Sequence, residues 1–73
     1  MGYKAEKWPY KANGALEDVL SLLKDIEKAS GSAQKAVIEG DKLVGVMVMG
    51  DIRTKAMLAH TTLVEARAGK YSE

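Results

Sequence analysis

The sequence predicts an α+β fold. An extended N-terminal arm over residues 1–13 leads into a single α-β-β-α domain over residues 14–70, built around a central β-hairpin, with residues 71–73 frayed. Three observations predict it. Leu16, Val19, Leu20, Leu23 and Ile26 follow the i, i+3, i+4, i+7 spacing of one helix stripe. Short apolar runs, AVIE and LVGVMVM, flank Gly40-Asp41, a two-residue loop compatible with primed hairpin turns. Ile52, Ala56, Ala59, Leu63 and Ala66 then alternate spacings of four and three, as a second helix would.

In chain order, the arm MGYKAEKWPYKAN carries neither helical nor strand period, and Pro9 holds Trp8 extended. The first helix has Asn13 or Gly14 as N-cap, Glu17 and Asp18 in its first turn, and Gly31 as its stop. The hairpin register sets Glu39 opposite Lys42, Ile38 opposite Leu43 and Val37 opposite Val44. Strand two, Leu43 to Met49, is apolar on both faces, with Val44, Val46 and Val48 on one of them. Such a strand wants cover on both sides. Asp51 is placed to cap the last helix and to pair with Lys55, and Gly69 closes that helix.

A chain of 73 residues is one domain with a marginal core. With no cysteine and one histidine, His60, neither disulfides nor a sulfur or imidazole metal site can reinforce it. Completion by oligomerisation or by a partner is what remains. A net charge of +1 gives no general pull toward nucleic acid or anionic lipid. No apolar run approaches the roughly 20 residues of a membrane span, and no apolar leader opens the chain, so a cytoplasmic location is expected.

His60 is the only conventional general base and has no second group at a fixed spacing, so no catalytic residues are assigned and an enzyme is not expected. The arm alternates Lys4, Lys7 and Lys11 with Tyr3, Trp8 and Tyr10, a pattern that can stack on bases but more simply docks on a protein surface. A partner interface is therefore expected at Tyr3, Trp8, Tyr10, Val44, Val46, Val48, Ala56, Ala59 and Leu63. The alanines permit close approach of another backbone.

The string Lys42-Leu43-Val44-Gly45-Val46-Met47-Val48-Met49-Gly50-Asp51-Ile52, preceded by a helix and AVIE, resembles one repeat of the CBS (cystathionine-β-synthase) domain. In that family a glycine–hydrophobic–hydrophobic–Thr/Ser–x–x–Asp motif leads from the last strand into a helix. Gly45, Val46, Met47 and Asp51 match it, and Val48 stands at the hydroxyl position. The resemblance implies an adenine nucleotide near Gly45, Gly50 and Asp51; the residues themselves call for no cofactor. The same string is similar to the small C-terminal domain of flavin-dependent NADH and nitrite reductases, which implies a structural role. The leading expectation is a small non-catalytic accessory or structural subunit that assembles with itself or a larger protein. A regulatory adenine-nucleotide module is the alternative, and nucleic-acid binding through the arm ranks third.

Overall fold

The computed structural model describes residues 7–72. A single 3-10 turn at Tyr10–Ala12 leads into helix α1 (Asn13–Glu39), and Gly40 and Asp41 connect it to helix α2 (Lys42–Arg67), which runs back along the first. Among the described residues there is no strand. The α-β-β-α fold and its central β-hairpin are thus overturned, and the molecule is a helical hairpin. Val37 and Val44 are not cross-strand partners, and residues 42–49 are the first two turns of α2.

Gly40-Asp41 does reverse the chain, by different chemistry. Gly40 sits in the left-handed region at φ 73°, where a residue without Cβ is unstrained. Its N–H donates to the Val37 carbonyl at 3.2 Å and the Asp41 N–H donates to Ala36 at 2.8 Å. That pair of bonds is the Schellman ending of α1. Asp41 then caps α2, its Oδ1 accepting from the Val44 N–H at 3.1 Å. The expected cap, Asp51, lies instead inside α2. The C-terminus of α2 repeats the device: Gly69 has φ 100°, and the Lys70 N–H donates to Glu65 at 3.0 Å.

The first helix also runs further than expected. Gly31 lies in its interior, with open space around it. An interior glycine costs about 1 kcal/mol relative to alanine, and the two further turns gain the contacts of Ala33 and Ala36. At the other end no side chain caps α1, and Glu17 and Asp18 fall beyond its first turn.

The seam between the helices follows a strict alternation of three and four residues: Val19, Leu22, Ile26, Ala29, Ala33 and Ala36 in α1 are buried or half-buried. In α2 the same alternation runs from Gly45 through Val48, Ile52, Lys55 and Ala59 to Thr62 and Ala66. This is the spacing of antiparallel coiled-coil packing. The seam is narrow because its most buried members are mostly alanine, and no large side chain is fully buried. A Cβ placed on Gly45 would meet the Ala36 Cβ at 3.9 Å, so the backbones come close there.

Candidate interaction surface

Because successive residues turn by roughly 100° around a helix, and because α2 runs opposite to α1, the flank beyond the seam in each helix reaches the same broad side of the hairpin. On that side α1 presents Leu16, Leu20 and Leu23, and α2 presents Met49, Ala56 and Leu63. Near the loop the side closes into an open groove of about 610 Å³, lined by Ala36, Val37, Gly45, Val46 and Met49. The opposite side is polar in α1. Asp25, Lys28 and Ser32 gather there with Lys55, whose ammonium bridges Asp25 at 3.7 Å and Asp51 at 3.1 Å. The Asp51 hydrogen bond is the main reason the Lys55 pKa is raised, with the two carboxylate charges adding to it.

Among the described residues nothing covers the apolar side. Leu20 is 56% exposed, Leu23 49% and Met49 54%. The molecule measures 49 × 29 × 16 Å, and its two helices lie side by side in one layer. Stable domains have two packed layers around a core.

The residues expected to bind a nucleotide do not sit at a strand-to-helix corner. Gly45 faces the seam, while Gly50 and Asp51 lie on the exposed surface of the same helix, in mid-course. The strand-to-helix corner that a CBS-type motif requires is missing, because Gly45 through Asp51 are continuous helix. That corrects the CBS-like reading. The expected interface residues are distributed as follows. Ala59 is buried in the seam, Val48 and Leu63 are half-buried, and Ala56, Val44 and Val46 are exposed. Trp8 is 44% exposed and Tyr10 more so; Tyr3 lies outside the described residues. Val37, Met49 and Met57, all exposed, were not expected at a surface. Their positions could be found only once residues 36–49 are read as helix.

No helix of the described residues is long and apolar enough to cross a membrane, and no group of three or more metal-ligating side chains gathers among them. Compared with known proteins, the chain matches no family model, no curated protein and no solved structure.

Proposed function

We propose that this chain is a small non-catalytic assembly subunit whose apolar broad side is a docking surface for helices. One observation carries the reading: the described residues form a single layer of two helices, and Leu20, Leu23, Val37, Val46 and Met49 stay exposed on one broad side of it. An exposed apolar side of this extent is the mark of an interaction site. The alanine seam is too narrow to hold two helices by itself, since burial of large side chains supplies most of the stability of helical packing. Folding and association are therefore coupled.

The test is circular dichroism of the chain over about three decades of concentration, since a species stabilised by association melts at a concentration-dependent temperature. Without a partner the monomer should show partial helicity and no sharp transition. Leu20→Gln with Met49→Gln should reduce association, and Lys28→Gln with Lys35→Gln on the polar side should leave it unchanged. A dilute monomer that melts cooperatively, at a temperature independent of concentration, would remove the reading.

A further inference from the structure

We infer that Asn13 is a site of spontaneous covalent modification, its side-chain amide displaced as ammonia by the backbone nitrogen of Gly14, at a rate gated by opening of the first turn of α1. The site does not depend on the docking surface.

The reactants are unambiguous. Asn13 is the sole asparagine of the chain, and a glycine follows it. Glycine has no Cβ to crowd its own nitrogen or to restrict the peptide that carries it. The aspartates, which can close the same ring by losing water, precede Val19, Ile26, Lys42 and Ile52, whose side chains crowd the attacking nitrogen. Asn13 and Gly14 are both exposed, and a Cβ placed on Gly14 would meet nothing within 4 Å.

The chemistry balances without an oxidant or a cofactor. The Gly14 nitrogen attacks the Asn13 Cγ; the new N–Cγ bond forms, the Cγ–Nδ2 bond breaks, and the Gly14 amide proton leaves with the ammonia. Water then opens the cyclic imide at either carbonyl. Opening at Cγ leaves an aspartate in an ordinary main chain. Opening at the backbone carbonyl leaves an isoaspartate, with the former side-chain methylene inserted into the main chain. Overall a water is consumed and an ammonia released.

The fold supplies the gate. Asn13 is held at φ -54° and ψ -44°, and its N–H donates to the Tyr10 carbonyl. Ring closure needs the Gly14 nitrogen swung beneath Cγ, far from a helical ψ, so the closed turn does not react. Opening is nevertheless easy here. Helix ends fray first, no side chain caps the start of α1, and a glycine within the first turn weakens it.

The two products push α1 in opposite directions. An aspartate places negative charge at a helix start that has no acidic residue in its first turn, where the helix dipole favours it. An isoaspartate lengthens the main chain and breaks the register of that turn, just ahead of Leu16, where the apolar side begins.

The test incubates the full chain in weakly alkaline buffer, with and without guanidinium chloride. Peptide mapping by mass spectrometry, with chromatographic separation of aspartate from isoaspartate, follows the reaction. The expected result is the mass gain of an amide turned acid, confined to Asn13. The folded chain should react more slowly than the unfolded one, by no more than about tenfold, because a fraying end opens at little cost. Gly14→Ala should slow the folded chain more than the unfolded one, since alanine both crowds the nitrogen and strengthens the helix. Asn13→Gln should stay unmodified on the same timescale, and Asn13→Asp should raise helicity by circular dichroism. A folded chain slowed by roughly a hundredfold or more would mean a sealed helix start and would overturn the site. Equal rates in the two conditions would overturn the gate.

Discussion

The two helices are nearly equal in length, 27 and 26 residues, but they distribute apolar side chains differently. α1 is amphipathic in the ordinary way. Its outer surface carries Glu17, Lys24, Lys28 and Lys35, all exposed. α2 is apolar nearly all round in its first two turns. Leu43, Val46 and Met47 are exposed there, and Met57, Leu58 and Val64 are exposed further along. Even the polar residues of α2 are partly silenced, since Thr54 and Thr62 return their hydroxyls to the carbonyls of Gly50 and Leu58. A helix of the first kind belongs at the margin of an assembly; one of the second kind belongs inside it. On the docking reading proposed above, α2 is the element that a partner would cover most fully.

Substitutions in the shared seam should have the largest effect, because both helices depend on it. Ala59 is 4% exposed, and Ala59→Leu should force the backbones apart at a cost of about 1–3 kcal/mol, read by urea denaturation. The same change at Ala56, on the exposed broad side, should cost far less, and in an assembled protein its sign depends on the facing layer. Equal losses at the two positions would break the distinction between the seam and the broad side.

The glycines sharpen the comparison next. Gly31 of α1 is a helix-interior residue with nothing near its Cβ position. Gly31→Ala should stabilise by about 1 kcal/mol, seen as a higher denaturation midpoint with unchanged m. A loss would mean that the helix ends there after all. Gly40→Ala, at φ 73°, should instead destabilise by about 1 kcal/mol or more.

These glycines also show what was legible in the sequence. Gly31 and Gly40 both carry a helix-stop signal, and only burial beyond Gly31 tells them apart: Ala33 and Ala36 extend the three–four spacing of Val19, Leu22 and Ile26 without a break. The stripes from Leu16 to Ile26 and from Ile52 to Ala66 were legible because charged residues frame them. Residues 42–49 were not. An apolar run fits a strand with two covered faces and a helix covered all round equally well, and periodicity cannot separate them. Gly40-Asp41 compounded the ambiguity, since a left-handed glycine before an aspartate serves a β-turn and also serves a helix end followed by a cap. The candidate surface shared that fate: Ala56 and Leu63 were visible on their stripe, whereas Val37 and Met49 join them only in a helical register.

The capping residues separate the start of α2 from its middle. Asp41 holds the Val44 N–H at 3.1 Å, so Asp41→Ala should cost about 1 kcal/mol. Asp51→Ala removes a surface pair with Lys55 and should cost clearly less, since solvent screens exposed ion pairs. Reversal of that order, measured by urea denaturation of the two variants, would place the helix start at Asp51.

The smallest effect expected is the pH dependence of that pair. Asp51, and secondarily Asp25, hold the Lys55 pKa above its ordinary value in the folded protein. A raised folded-state pKa means that the ammonium is bound more favourably by the folded form. Its contribution is fully present below the unfolded-state pKa, about 10.4, and is lost as pH rises through the higher folded value. The stability gap between the native chain and Asp51→Asn should therefore be constant from neutral pH upward and close only in strongly alkaline solution. Lys70, raised in the same direction mainly by its bond to Glu65, titrates alike in both chains and cancels from the difference. Urea denaturation of the two proteins in parallel across the alkaline range reads the gap directly. A gap that persists unchanged through the titration of lysine would show that Asp51 acts in α2 through something other than the Lys55 ammonium.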